Sequence, residues 1–293
     1  MKNKLIITTI LVSTLISSCN TKTTKKNVSD LNFTGNVKTV KEISFSALDK
    51  FGEIVKNKHE RENSWEHDSF LILNNKGNIE QYNSYNPDGS LHKRAVCKYD
   101  NNDNKIETLE YNPDGSVDMK HTYKYDKNNN LIENNCFTSF NYYHNGWLYM
   151  KWTYKYDDEG NRIETKEYDS NGRLRVRWTN EYDDYGNATK NNGYDSNGSQ
   201  FMNYIQTYKY DNQGNKIECK KFNSEGNLVE KFTYKYDNKC NEIESNQYNS
   251  KDSLEVSLSY KYDYDQKNNW IKRISFKNNI PKFIIEREIE YFE

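Results

Sequence analysis

The chain has 293 residues, with 42 basic and 43 acidic side chains, 34% hydrophobic residues, 25 tyrosines and three prolines. Balanced charge argues against a nucleic-acid binder that works by neutralising phosphate, and the low hydrophobic fraction argues against a multi-span membrane protein. Disordered chains are poor in aromatics and rich in proline. This chain is the reverse, so it is expected to fold.

Residues 1–18 are predicted to be a lipoprotein signal peptide. Lys2 and Lys4 supply a positive start, and the apolar stretch that follows ends at Ile16 and is too short to span a bilayer. The segment Ile16-Ser17-Ser18-Cys19 resembles a lipobox. The resemblance implies lipidation of Cys19; an ordinary secretory signal and a transmembrane anchor are the alternatives.

Residues 19–30 are polar, lack an apolar pattern and are predicted to be a flexible tether. Lysines follow Cys19 where a surface-export signal would place acidic residues. The predicted location is therefore the cell envelope, anchored by lipid to the outer membrane, with the periplasmic side favoured over the surface.

A Tyr-Asp repeat organises residues 31–293, which are predicted to form one β-repeat domain. Seven copies of the dipeptide recur at intervals of 26 to 31 residues, and degenerate copies lie at Leu73-Asn74 and Leu48-Asp49. A fixed period of this kind indicates a repeat architecture. The repeats cover about 45–265 and a capping hairpin is predicted over 266–293. The tyrosines of the seven copies are Tyr99, Tyr125, Tyr156, Tyr182, Tyr210, Tyr236 and Tyr262.

Each repeat contains two predicted turns. The first follows Tyr-Asp and has a slot that favours positive φ, filled by Gly, Asn or Asp in every copy but that of Cys240. The second has proline or serine second and glycine fourth, as in a type I turn that closes with a glycine bulge. Its copies are residues 86–89, 112–115, 169–172, 195–198 and 223–226.

Between the turns, apolar and polar residues alternate with period two, which indicates half-buried antiparallel strands. No segment has a convincing helical period. The predicted fold class is all-β: an extended antiparallel meander of stacked β-hairpins, a twisted or coiled repeat sheet of about 16–19 strands, with both ends acting as caps. The tyrosines are predicted to form most of the core, and aromatic binding of sugars or peptides is the alternative.

Lysine and glutamate recur nine residues apart across the first turn, as in Lys98 and Glu107, and one copy reverses both signs with Glu181 and Lys190. Because like charges opposite each other are destabilising, a paired inversion indicates direct cross-strand neighbours on the solvent side. Ile106 and Tyr111 lie an odd number of residues apart. Either this strand carries a bulge, or the tyrosine packs on the other face.

The motif Tyr-Asp-x-x-Gly-Asn-x-Ile resembles the YD repeat of the RHS family over roughly residues 45–265. In that family such repeats build a continuous coiled β-sheet, which in large toxins wraps around a cargo domain. This chain is short and lacks a recognisable RHS core-end motif and a toxin domain. The resemblance therefore implies a sheet of stacked hairpins in a small lipoprotein rather than the toxin role.

The sequence predicts no catalytic site, no metal site and no cofactor. The histidines lack metal-ligand spacing, although His59 and His67 flank an acidic stretch, and the Asp/Asn-rich turns do not match a calcium loop. A pair of carboxylates that acts as in a glycosidase is an alternative that the sequence leaves open. The four remaining cysteines show no C-x-x-C spacing, and no disulfide framework is expected. They are Cys97, Cys136, Cys219 and Cys240.

The segment 136–152 breaks the repeat and concentrates aromatic residues, so it is the predicted contact surface. The leading hypothesis is a non-catalytic, lipid-anchored envelope protein that binds or scaffolds a protein or glycan, with no nucleic-acid partner. The alternatives are an envelope hydrolase with its site in 136–152 and an accessory or neutralising partner of a polymorphic toxin. The proposed contact residues are Phe140, Tyr142, Tyr143, Trp147, Tyr149 and Trp152.

Overall fold

A computed structural model describes residues 33–60, 68–138, 146–184 and 186–293. Within these ranges the protein consists of strands and turns, and no helix there is long and apolar enough to cross a membrane. The prediction of an all-β antiparallel meander is confirmed. The strands are β1 Val37–Lys50, β2 Glu53–His59, β3 Asp68–Leu73, β4 Ile79–Tyr85, β5 Leu91–Tyr99, β6 Lys105–Tyr111, β7 Val117–Tyr125, β8 Leu131–Thr138, β9 Trp147–Tyr156, β10 Arg162–Asp169, β11 Leu174–Tyr182, β12 Ala188–Asp195, β13 Gln200–Tyr210, β14 Lys216–Phe222, β15 Leu228–Tyr236, β16 Glu242–Tyr248, β17 Leu254–Tyr264, β18 Trp270–Lys277 and β19 Ile280–Tyr291.

The sheet closes into an 18-strand barrel, so the predicted extended meander with capped ends is wrong in this respect. From β3 to β19 each strand pairs with the next, and β1 pairs with both β19 and β3. Val40 lies opposite Ile289 on β19 and Leu71 on β3. The short strand β2 pairs with the far half of β1 and stands outside the ring. Closure satisfies the backbone groups that an open meander leaves unpaired at its two edges.

Apolar residues gather where the barrel closes. Val37, Val40 and Leu73 are buried together, and side chains of β3, β4 and β19 pack on them. Val37 and Val40 come from the N-terminal end and Ile289 and Tyr291 from the C-terminal hairpin that the sequence pattern assigned to a cap, whereas Leu73 belongs to a degenerate repeat. The hydrophobic strands near the two ends of the chain therefore pack against each other. They do not cap two separate edges of an open sheet. The packed neighbours are Phe33, Leu71, Ile79, Ile289 and Tyr291.

The two kinds of turn lie at opposite ends of the barrel, because consecutive strands are antiparallel. The YD turns, from 74–78 to 265–269, form one end, called here the YD end. The second turns form the other, called the second-turn end. β1 enters at the YD end, where the Thr34 carbonyl accepts from Asn269. The degenerate Leu48-Asp49 copy departs from the pattern, since the turn between β1 and β2 lies at the second-turn end.

A bulge next to each YD turn explains the odd spacing of Ile106 and Tyr111. Lys105 lies opposite Tyr99 and Glu107 opposite Lys98, which leaves Ile106 as the extra residue. Ile163 and Ile243 occupy the same place in later repeats. The sequence had left open a bulge or a change of face, and the structure shows the bulge.

The slot for positive φ is also confirmed. Asp103, Asn129, Cys240 and, in the last YD turn, Asn268 fill the slot without glycine and have φ values of 62°, 60°, 63° and 65°. Asn and Asp tolerate this region better than other side chains, so Cys240 is the unusual occupant. Its turn nevertheless keeps the same backbone hydrogen bond, from the Cys240 amide to the Asp237 carbonyl.

The tyrosine and aspartate of each repeat hold the YD end together. The Tyr125 hydroxyl donates to the Lys105 carbonyl on the neighbouring strand at 2.9 Å, and Tyr236 does the same to Lys216 at 3.0 Å. The carboxylate of Asp100 accepts from the backbone N–H of Asn104 at 2.9 Å. Because these contacts recur from repeat to repeat, they form a ring of structural contacts at this end of the barrel.

The two faces of the sheet differ sharply in exposure. The lysines of five predicted lysine–glutamate pairs have side chains 62–68% exposed, whereas Glu110 and Cys136 on the opposite face are 3% and 2% exposed. Side chains crowd on the concave side of a closed sheet, so the lysines lie on the outer face and Glu110 and Cys136 on the inner wall. The repeated tyrosines Tyr123 and Tyr234 are half-buried on that wall rather than forming a filled core.

Candidate binding site

Three of the predicted contact residues lie within the described chain, all on β9. Trp147 and Tyr149 are exposed by 62% and 50% at the second-turn end. Trp152 lies on the inner wall opposite Glu167, and its indole N–H donates to a Glu167 carboxylate oxygen at 3.2 Å. The other proposed residues lie outside the described residues: Cys19, Phe140, Tyr142 and Tyr143.

The inner wall is repetitive near the YD end and variable near the second-turn end. Two positions before the tyrosine of the YD motif, most repeats again have tyrosine, as at Tyr123, Tyr154, Tyr208 and Tyr234. Four positions before it, the repeats differ. Repeated residues serve the scaffold, so unlike residues on one surface of a repeat protein point to recognition. The variable residues are Ala95, His121, Trp152, Trp178, Gln206, Phe232 and Leu258.

Aromatic rings and an ion pair form one half of this variable region. Arg175 lies 3.1 Å from the second carboxylate oxygen of Glu167, so Glu167 joins Arg175 to Trp152. Further round the wall, Trp178 meets Phe201 edge to face with centroids 5.3 Å apart. We call Trp152, Glu167, Arg175, Trp178 and Phe201 the aromatic site.

Gly193 makes room for these rings. It lies opposite Trp178 on the neighbouring strand, and a Cβ there would be 2.7 Å from Trp178 and 2.8 Å from Phe201. The other hairpins have larger residues at this place, such as Glu110 and Glu167. A glycine inside a strand marks a close approach, and here the two rings approach the backbone.

Charged groups form the other half of the variable region. The Lys93 ammonium lies 2.7 Å from Asp118 and 3.6 Å from Glu110, and His121 lies 3.7 Å from the other Glu110 oxygen. Burial raises the pKa of Glu110 and lowers that of His121. Burial also lowers the pKa of Lys93, but its bond to Asp118 and the charge of Glu110 outweigh this and leave the pKa raised.

The cysteine of this region is not set up as a nucleophile. Cys136 lies directly across from His121, which is the neighbour that a thiol needs for activation. However, burial, with the charges of Glu110 and Asp118, raises the pKa of the Cys136 thiol to about 11. The thiol is therefore protonated at neutral pH, whereas reactive cysteines have lowered pKa values.

Of the other residues considered from the sequence, His59 has a structural role. His59 contacts Asp68 and the Pro87 carbonyl and so ties β2 to the barrel, while His67 lies outside the described residues. No group of three metal-ligating side chains occurs within the ranges that the structure describes. Cys97, Cys136 and Cys219 are free thiols.

Large apolar side chains are exposed around the second-turn end. They belong to β1, β9, β13, β17 and β19 and to the turn between β1 and β2, and they are 42% exposed or more. Apolar side chains scattered singly on a surface are common, so these residues do not by themselves mark a second site. These side chains are Leu48, Phe51, Trp147, Tyr149, Phe201, Leu254 and Ile280.

Sequence reasoning located one edge of this region and missed the rest. Trp152 was singled out, but Lys93, Glu110, Glu167 and Gly193 were not. The available signal was a position-by-position comparison of the repeats at inner-face sites: Gly193 stands where other repeats have Glu110 or Glu167, and His121 stands where others have Trp152 or Trp178. Knowledge of the bulges was needed to bring those positions into register.

Comparisons with known proteins give weak likenesses. No family model matches the chain, and neither does any curated protein. A porin-like protein from Bacteroides uniformis is 11% identical, with 88% of this chain and 98% of that chain covered and a TM-score of 0.40. A porin-like protein from Bacteroides vulgatus is 12% identical, with coverages of 88% and 99% and a TM-score of 0.38. The toxin complex TcdB2-TccC3 without its hypervariable C-terminal region is 12% identical over 82% of this chain and 16% of that chain, with a TM-score of 0.26. At these TM-scores the likenesses carry no argument about function.

Proposed function

We propose that this chain is a non-catalytic binding protein of the bacterial cell envelope. It is a lipid-tethered β-barrel that stands in water and holds a ligand on the inner wall at its second-turn end. One observation carries the proposal: charged pairs cover the outer face, while unlike polar and aromatic residues collect at one end of the inner wall.

The outer face does not suit a lipid environment. A transmembrane barrel presents an outward apolar band about 25 Å tall, and a lysine at the bilayer midplane costs about 2–4 kcal/mol. Here charged pairs recur around the outside, from Lys98–Glu107 on β5 and β6 to Lys235–Glu244 on β15 and β16. Lys120 and Lys166 lie nearer mid-strand on the same face. This pattern supports a barrel surrounded by water.

The inner wall suits a bound molecule. A barrel of about 16–18 strands is wide enough to enclose an aqueous lumen, and Tyr123, Tyr154 and Tyr208 on the wall are half-buried rather than packed away. The chain enters the barrel at the YD end, where Thr34 meets Asn269. A lipid at Cys19 would therefore direct that end towards the membrane, and the second-turn end away from it.

Membrane partition tests the anchoring and the water-exposed barrel together. The wild-type chain and a Cys19→Ala variant are expressed in a Gram-negative host, and membranes are washed with carbonate without detergent. We expect the wild type in the membrane pellet and the variant in the aqueous fraction. Retention of the Cys19→Ala variant in carbonate-washed membranes would show an embedded barrel and overturn the proposal. Neither the hydrolase nor the toxin-partner alternative has a specific observation in its favour among the described residues.

A further inference from the structure

We infer that the aromatic site binds a neutral oligosaccharide, an inference that rests on the proposed function and names its ligand. The inference comes from Trp152, Glu167, Arg175, Trp178 and Phe201. The positions they occupy vary along the repeats, from Ala95 to Trp178 at one and from Gly193 to Glu167 at another, so the repeat does not require these residues. They lie on β9, β10, β11 and β13, next to the segment that breaks the repeat.

The rings of the site are placed for contact. Trp178 and Phe201 stand edge to face over Gly193, whose φ is not positive and which is therefore not needed for backbone conformation. Glycine is needed at this position because it leaves room for the rings, since a Cβ would collide with both of them. Phe201 remains 54% exposed in this arrangement. An aromatic cluster that served only as core would bury that ring.

The polar groups of the site match hydroxyls. Glu167 accepts from the Trp152 indole at 3.2 Å and lies 3.1 Å from Arg175. Side chains of Glu167 and Arg175 are 23% and 40% exposed, so each keeps capacity for a ligand. A carboxylate and a guanidinium supply acceptors and donors side by side, and their opposite charges cancel. This favours a neutral molecule rich in hydroxyls.

A pyranose ring meets both requirements, since its C–H face packs on an aromatic ring while its hydroxyls bond at the edge. A purely apolar ligand would cover the Glu167–Arg175 pair. The pair would lose its hydrogen bonds to water and gain none from the ligand, which is costly. A peptide that adds as a strand needs a free sheet edge. The strands that form the site, β9 to β13, are paired on both sides.

Binding of defined oligosaccharides to residues 20–293 tests the inference. The probes are cello-, malto-, chito- and manno-hexaoses, measured by calorimetry up to 5 mM, with hexauronates as charged counterparts. We expect at least one neutral hexaose to bind. Trp178→Ala and the near-isosteric Glu167→Gln should each weaken it tenfold or more. Tyr248→Ala is the control, because Tyr248 lies on the outer face of β16, with its ring against the Lys231 ammonium.

Gly193→Ala supplies an independent variant, since it acts only by displacing the rings, and it should also lose affinity tenfold. Each variant is accepted only if its far-UV spectrum and melting temperature stay close to those of the wild type. Absence of binding by every neutral hexaose, or equal affinities for wild type and Trp178→Ala, would overturn the inference. Binding of an envelope peptide that Trp178→Ala abolishes, without hexaose binding, would refute the carbohydrate assignment while the proposed function stands.

Discussion

The ammonium group of Lys235 lies 2.9 Å from a carboxylate oxygen of Glu244, directly across strands β15 and β16. The same lysine–glutamate pair, with the lysine first in the chain, recurs in four other hairpins. In one further hairpin the order is reversed, with Glu181 first and Lys190 second. In all six the charged atoms are 2.7 to 3.4 Å apart. Because opposite charges are retained when the residues exchange, this pair selects the register of each hairpin.

Charge reversal tests that role. Lys235→Glu should lower the free energy of unfolding by about 0.5–1 kcal/mol, because it places two carboxylates opposite each other at an exposed site. The double variant Lys235→Glu with Glu244→Lys should recover most of the loss. Urea unfolding of both single variants and the double variant gives the coupling energy. Additive losses in the double variant would show that the two side chains do not interact.

The lysine–glutamate pairs also show why so much of the hairpin could be predicted. The turn, the strand partner and the charged face all depend on residues close in sequence, so a repeated pattern reveals them. The bulge at Ile106 was an open alternative, because a parity argument detects an extra residue without saying how the backbone absorbs it. Positive φ at Cys240 followed from its place in the repeat and not from its residue type.

The tyrosine hydroxyls at the YD end provide a second test. Tyr236→Phe removes the bond to the Lys216 carbonyl, which has a length of 3.0 Å, and should cost about 1 kcal/mol. Tyr248→Phe is the control, because Tyr248 lies on the outer face with its ring against the Lys231 ammonium. It should change the unfolding midpoint in urea by much less. Equal effects of the two substitutions would contradict a specific role for the hydroxyl bond.

Acid should weaken the outer charge network. At Glu133 burial raises the pKa, but hydrogen bonds from Lys124, Lys151 and Asn135 outweigh it and lower the pKa to about 2. A carboxyl whose folded pKa lies below its unfolded value of about 4.3 stabilises the fold above the unfolded pKa. That contribution disappears as the pH falls through the folded pKa, so it is lost between about pH 4.3 and 2.

Glu133→Gln isolates this contribution. The variant should be less stable than wild type at pH 7, by about 1 kcal/mol or less because the side chains of Lys124 and Lys151 are 67% and 36% exposed. The difference should shrink between pH 4.3 and 2. Thermal unfolding measured across that range decides the matter, and a difference that stays constant down to pH 2 would show that Glu133 does not titrate as described.

Closure of the barrel was beyond the sequence pattern, and so was the binding site. Val40 and Ile289 are almost the whole chain apart, and no local repeat links them. Their hydrophobic surroundings fit capped ends as well as paired ends. Trp152 and Trp178 lie on β9 and β11, where the local register with β10 and its bulges puts them on one face, and closure makes that face the inner wall. Long-range pairing depends on the geometry of all the hairpins together, which a local pattern does not contain.

The closing seam should therefore be the most sensitive part of the fold. Ile284 on β19 is 1% exposed and lies between Phe45 on β1 and Ile274 on β18. Ile284→Ala should cost about 2–5 kcal/mol, since it leaves a cavity among buried side chains. The control is Ile106→Ala, which removes the same atoms from a bulge where the side chain is 40% exposed and should cost well under that. Urea unfolding compares the two. Similar small losses would mean that the hairpins are stable without the seam, and the structure would then behave as the open meander that the repeat alone suggests.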